Sequence, residues 1–151
     1  MQRGPDNKRS LWLAVALVGA LAGAAAAAPA ADPAQDAFSA IARAWLVEDH
    51  AALANLIAPD GAEIALGPRP GARRYSASQA FYFFKTLFRS TDTDAFRFSL
   101  QRSESDAALA HAVADWSYRR AGQEGARVER LVFTLARGET GWGLTDIHAI
   151  R

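Results

Sequence analysis

From Phe96 onward, apolar and polar side chains alternate with a period of two, and this alternation constrains the fold more than any other feature. Phe96, Phe98 and Leu100 are interleaved with Arg97, Ser99 and Gln101. Ala110, Ala112, Ala114, Trp116 and Tyr118 are interleaved with His111, Val113, Asp115 and Ser117, and Leu131, Phe133 and Leu135 with Arg130, Val132 and Thr134. Successive side chains of a strand point to opposite faces, so each run predicts a strand buried on one side. Gly122-Gln123-Glu124-Gly125 and Gly138-Glu139-Thr140-Gly141 separate the later runs. Connections this short join antiparallel neighbours. The last run, Gly141–Arg151, closes the sheet.

Helical patterns precede the strands. Asp32-Pro33 is a helix start, a capping carboxylate followed by proline at the first helical position. Phe38, Ile41, Ala42, Trp45 and Leu46 then form one apolar stripe over residues 34–48. Asp49 caps a second, short helix, which Pro59-Asp60-Gly61 ends, and Glu63–Leu66 is a short strand. Gly67-Pro68-Arg69-Pro70-Gly71 reads as a loop made basic by Arg69, Arg73 and Arg74. Ser76-Ala77-Ser78-Gln79 has capping-box spacing. In the helix that follows, Ala77, Ala80, Phe81, Phe83, Phe84, Leu87 and Phe88 cover an arc of about 160°. So wide an apolar arc predicts a helix wedged between sheet and another helix, while Tyr82, Lys85, Thr86 and Arg89 take the other side. Thr91–Asp94 reads as a polar break.

The N-terminus has a different logic. Arg3, Lys8 and Arg9 precede the apolar run Leu11–Ala22 and an alanine-rich exit. This is the layout of a secretory signal over residues 1–30, with Ala28-Pro29-Ala30 and Ala24-Ala25-Ala26 both fitting the cleavage rule. The strongly apolar part is about a dozen residues, short of the roughly 20 that span a bilayer. Membrane attachment is expected only if the segment stays uncleaved. The expectation is an exported protein, periplasmic or secreted, whose domain is 31–151.

Charge and cysteine narrow the chemistry. The formal net charge is +1. Residues 1–30 remove three cations and one anion, so the remainder is near neutral and lacks the basic footprint of a nucleic-acid binder. The chain has no cysteine, which excludes disulfides, thiolate metal sites and a cysteine nucleophile. No phosphate-cradling glycine loop, zinc-binding His-Glu-x-x-His or Gly-x-Ser-x-Gly elbow occurs.

Candidate site residues come from the strands. On a strand, residues two apart share a face about 6.6 Å apart. Asp146 and His148 would therefore lie beside Trp142 and Leu144, unless a bulge intervenes, and a carboxylate next to an imidazole is an arrangement for general acid–base work. His111 and Asp115 share a face but sit roughly 13 Å apart along one strand. Nothing fixes His111, Asp146 and His148 together, so neither a metal site nor a cofactor is expected. Trp45, Trp116, Tyr118 and Trp142 supply aromatic area for core or pocket wall.

The order of helix, short helix, short strand, helix and four long strands resembles the nuclear-transport-factor-2-like superfamily, the cystatin-like α+β cone. Ala44-Trp45-Leu46-Val47-Glu48-Asp49-His50-Ala51-Ala52-Leu53 is similar to its first-helix, Asp, second-helix junction. Trp142-x-Leu144-x-Asp146-x-His148 is similar to its last strand. The resemblance covers residues 34–151. It implies an α+β fold in which N-terminal helices pack on a strongly curved antiparallel sheet of four long strands plus a short one. It also implies a conical pocket and frequent homodimers through the outer sheet face. Members include isomerases, dehydratases and polyketide cyclases using pocket Asp and His, and many non-catalytic binding domains, so fold does not decide function. The expected function is an exported non-catalytic domain that binds a small apolar ligand or a protein partner. The alternative is a pocket isomerase, dehydratase or cyclase with Asp146 and His148 as the proton-transfer pair. Expected pocket residues are Trp45, Tyr82, His111, Asp115, Trp116 and Trp142.

Overall fold

The structure is a computed structural model that describes residues 32–66, 71–103 and 108–150. The proposed signal segment, its cleavage sites and Arg69 lie outside the described residues. Helices α1 (Pro33–Leu46), α2 (His50–Asn55) and α3 (Ala77–Ser90) pack on a sheet of β1 (Ala62–Ala65), β2 (Arg73–Tyr75), β3 (Thr91–Ser103), β4 (Leu109–Arg120), β5 (Arg127–Gly138) and β6 (Gly141–Ile150). The sheet order is β2-β1-β6-β5-β4-β3. All pairs are antiparallel except β1 with β6.

The helix starts form as their sequences dictate. The Asp32 carboxylate accepts the Ala34 N–H at 3.0 Å, and Asp49 accepts the Ala52 N–H at 2.9 Å. Ser76 and Gln79 complete a reciprocal capping box. Each cap satisfies donors that the first turn leaves open.

Two expectations are corrected. First, the sheet has a sixth strand, because Arg73 and Arg74 lie on β2 and not in a loop. Arg74 reaches the Asp60 carbonyl at 3.2 Å and pairs with Glu63 at 3.2 Å, which ties β2 to β1. Second, there is no break after α3. The chain passes from Ser90 straight into β3, where Thr91 is buried and its hydroxyl donates to the Leu87 carbonyl at 2.9 Å. The Thr93 N–H donates to Glu48 Oε1 at 2.7 Å. The helices pack on the sheet as expected, with α1 on the same side as α3. Helix α1 lies against β3 and β6, while α3 lies against α2, β2 and the start of β3.

The wide arc of α3 is used as predicted except at Ala77, which is exposed. Ala80, Phe84 and Phe88 are buried. Phe83 packs on Tyr75 with ring centroids 5.1 Å apart, and Phe81 packs on His50 at 4.7 Å. Trp45 of α1, fully buried, stands at the centre of the core. Its ring meets those of Phe84, Phe88, Phe96, Trp116 and Phe133 at 5.1–5.8 Å. Stacked and edge-on contacts of this kind add to the area term of burial. The interior of the cone is therefore filled by the chain's own aromatic rings.

Bulges set which residues face inward. In β3 the register slips at Asp94 and again at Ser99. Phe96 and Phe98 stay with the inward Trp116 and Ala114, but Leu100 turns outward beside Val113 and Gln101 turns inward beside Ala112. A bulge adds one residue to one strand and inverts the alternation beyond it. In β6 the slip falls at Thr145, where Leu135 pairs with Leu144 but Thr134 pairs with Asp146. The Thr145 hydroxyl anchors this extra residue on the Thr134 carbonyl at 3.1 Å.

Candidate functional site

The Thr145 bulge decides the fate of the expected acid–base pair. Asp146 and His148 do not share a face with Leu144. They lie on the outer face with Thr134 and Val132, while Ile147 takes the buried position against Phe133. His148 Nδ1 is 2.6 Å from Asp146 Oδ1, so the pair is real, but the His148 side chain is 47% exposed. His111 stands on the same face, its Nδ1 3.1 Å from Thr134 Oγ1. Asp115 is held there by Arg130 at 2.9 Å. Among the described residues no three His, Asp or Glu side chains come together as a metal site.

The aromatic candidates separate. Trp45 is core and reaches no surface. Tyr82 projects from α3 at 67% exposure, beside a shallow groove between α2 and α3 that Phe81 and Ala54 also line. Trp142 is half-buried under the Arg137 guanidinium, 5.0 Å from its ring centre. It lines a broad cleft of about 610 Å³ with Asp60, Arg74, Leu109 and Arg137. Gly143 belongs to the same corner. A Cβ there would lie 2.8 Å from the Ala58 Cα, so the segment after α2 crosses β6 at backbone contact. Two hydrogen bonds lock the crossing, Ala58 N–H to the Leu144 carbonyl at 2.9 Å and Leu144 N–H to the Leu56 carbonyl at 2.7 Å.

Trp116 is the candidate that the structure places beside a chemically mixed cleft. The cleft, about 340 Å³, lies at the rim of the cone between the end of α3 and the inner faces of β4 and β5. Leu66, Leu87 and Trp116 give it apolar walls, and Tyr118, Arg120 and Glu129 its polar ones. Inward alternation along β4 brings Trp116, Tyr118 and Arg120 to one face, and along β5 it brings Glu129 to the same face as Leu131 and Phe133. Trp116 and Tyr118 stack with centroids 4.0 Å apart. The Trp116 indole N–H donates to Thr93 Oγ1 at 3.1 Å, which fixes the ring. The Tyr118 hydroxyl donates to Glu129 Oε1 at 2.6 Å. Burial raises the Tyr118 pKa above its ordinary value, the Glu129 carboxylate raises it further, and Arg120 opposes both. The phenol therefore keeps its proton and acts as a fixed donor to the carboxylate.

Glu129 is the site residue that the sequence reading missed. It continues the inward parity of Leu131, Phe133 and Leu135, so a carboxylate on the buried face of a strand was the available signal. Arg120 continues the parity of Trp116 and Tyr118 in the same way.

No family model and no curated protein matches the chain. Solved structures do. A cystatin-like-fold domain of unknown function from Nostoc punctiforme superposes with TM-score 0.63 at 14% identity, covering 82% of this chain and 79% of that one. A hypothetical protein with a ketosteroid-isomerase-like fold from Catenulispora acidiphila, solved in complex with trimethylamine, gives TM-score 0.62 at 13% identity, covering 77% and 85%. A ketosteroid-isomerase-like protein from Erwinia carotovora gives 0.59 at 17%, covering 78% and 93%. With helices on a curved six-stranded sheet and these neighbours beside it, the chain has the cystatin-like, nuclear-transport-factor-2-like α+β cone fold.

Proposed function

We propose that this chain is an exported, non-catalytic domain that binds a small molecule with an apolar body in the rim cleft. The observation that carries the reading is the cleft itself, where Leu66, Leu87 and Trp116 flank a few fixed polar groups. A mostly apolar concavity of a few hundred Å³ with convergent polar atoms is the usual form of a small-molecule site. The trimethylamine complex of a protein with the same fold supports the use of such a cone for small ligands. The basic, then apolar, then alanine-rich N-terminal sequence supports export.

The catalytic alternative loses its support in the placement of Asp146 and His148. Proton transfer to a bound substrate needs the base within hydrogen-bond reach of it, and neither residue lines the rim cleft. The test is a calorimetric titration with 4-methylpentan-1-ol. Saturable binding that Leu87→Arg abolishes supports the cleft; absence of saturation overturns it. Mass analysis of the exported protein tests the signal, and an intact Met1 would refute cleavage.

A second reading concerns the outer face. Leu100, Val113 and Val132 form one cross-strand row there, with Leu100 46% exposed. This is the patch that a second copy would cover in a homodimer. Sedimentation of the wild type as a dimer and of Val132→Lys as a monomer would support it; a wild-type monomer at micromolar concentration would refute it.

A further inference from the structure

Across the described surface, cationic side chains near carboxylates tend to be paired with them. Arg74 is paired with Glu63, Arg119 with Asp92 and Asp94, and Arg130 with Asp115. In the rim cleft the pattern breaks. Glu129 and Arg120 both line it and both are partly buried, yet neither forms a salt bridge with the other or with any described residue. Oε1 of Glu129 accepts the Tyr118 hydroxyl, and Oε2 receives no hydrogen bond from the described residues. Glu129 and Arg120 thus both meet the neutral Tyr118 hydroxyl and no opposite charge, and two partly buried charges of opposite sign in one cleft, with no salt bridge between them, favour a ligand that answers both.

Resting on the cleft reading above, we infer that the ligand is a small zwitterion of the α-amino-acid type with an apolar side chain. Its ammonium group binds Glu129, its carboxylate binds Arg120, and its side chain lies on Leu66, Leu87 and the edge of Trp116. The geometry of supply explains the choice. Glu129 stands opposite Trp116 in the β4–β5 register, and Arg120 lies four residues further along β4 on the same face. Both charges thus lie beside the Tyr118 hydroxyl. A purely cationic ligand would satisfy Glu129 and leave Arg120 facing a like charge; a purely anionic one would do the reverse. Guanidinium to carboxylate is also the geometry in which a two-pronged hydrogen bond forms. The cleft, at about 340 Å³, holds a molecule of this size.

The test compares ligands that share one branched apolar body, titrated calorimetrically into the purified chain: leucine, 3-methylbutylamine, 4-methylpentanoate and 4-methylpentan-1-ol. The expected result is that leucine binds at least tenfold tighter than each of the other three. Glu129→Gln should cost leucine and the amine about tenfold and spare the acid and the alcohol. Arg120→Gln should cost leucine and the acid about tenfold and spare the amine and the alcohol. The amide of Glu129→Gln still accepts the Tyr118 hydroxyl, so folding is preserved, and the wild-type series stands without either variant. If the alcohol, amine or acid binds as tightly as leucine, the zwitterion inference falls and the apolar cleft remains. If none of the four saturates, both fall.

Discussion

Glu129 stands opposite Trp116 in the β4–β5 register, yet its carboxylate reaches along the strand to accept the Tyr118 hydroxyl at 2.6 Å. This diagonal bond holds the polar wall of the rim cleft. Tyr118→Phe removes the donor and leaves the carboxylate partly solvated, so the expected loss is about 1–2 kcal/mol in chemical denaturation. The pH dependence has a definite sign. The folded pKa of Tyr118 lies above its ordinary value of 10.0, so the fold prefers the protonated phenol. The stabilisation is fully present below pH 10 and is lost as pH rises through the folded value. Subtracting the phenolate absorbance of Tyr118→Phe from that of the wild type should isolate a titration above the ordinary value of 10.0; one at or below it would refute the assignment.

Trp45 and Trp142 should respond very differently to truncation. Trp45 is fully buried among five aromatic rings, so Trp45→Ala leaves a large cavity and should cost about 3–5 kcal/mol. Trp142 is half-buried with Arg137 over its ring, so Trp142→Ala should cost only about 1–2 kcal/mol. Equal losses in parallel urea melts would contradict this division.

Gly143→Ala places a methyl group against the Ala58 backbone at 2.8 Å. Backbone on both sides leaves little room to yield, and the expected cost is about 1–3 kcal/mol. Amide exchange at Ala58 and Leu144 should accelerate in the variant. An unchanged melt would show that the crossing can open without penalty.

Glu48 is the one non-glycine among the described residues with positive φ, at 58°. Its carboxylate accepts the Thr93 N–H at 2.7 Å and so ties the α1–α2 junction to the first bulge of β3. Glu48→Ala keeps the unfavourable backbone and orphans the amide, for an expected loss of about 1–3 kcal/mol. Glu48→Gln retains an acceptor and should recover most of it. Thermal melts of the two variants decide the point.

His148→Ala and Asp146→Asn should each change stability by less than about 1 kcal/mol, as expected for an exposed pair. Neither should alter binding in the rim cleft. A tenfold loss of affinity in either variant would return these residues to the site.

How far the sequence could be read follows from where its local rules hold. The caps at Asp32, Asp49 and Ser76, the wide arc of α3 and the inward series Ala110–Tyr118 were all legible, because each depends on near neighbours in the chain. The bulges at Ser99 and Thr145 were not. Neither residue is Gly or Pro: Phe96, Phe98 and Leu100 alternate straight through the slip at Ser99, and at Thr145 the mark in the sequence is a single step of three between the apolar Leu144 and Ile147. That one hidden residue in β6 sent Asp146 and His148 to the wrong face of the expected cone. β2 was missed because three residues beside a Pro- and Gly-rich stretch carry no periodicity. Glu129 carries no motif spacing, and the one sign of its place is its inward parity with Leu131.

The ring of Trp45 has a kinetic consequence. In a hollow cone a guest would be sealed away and slow to leave. Here the vault is already occupied, and the rim cleft beside Tyr118 is a threshold in contact with bulk water. A guest held there as proposed needs no lid to open, so rapid exchange is the expected outcome of a binding experiment.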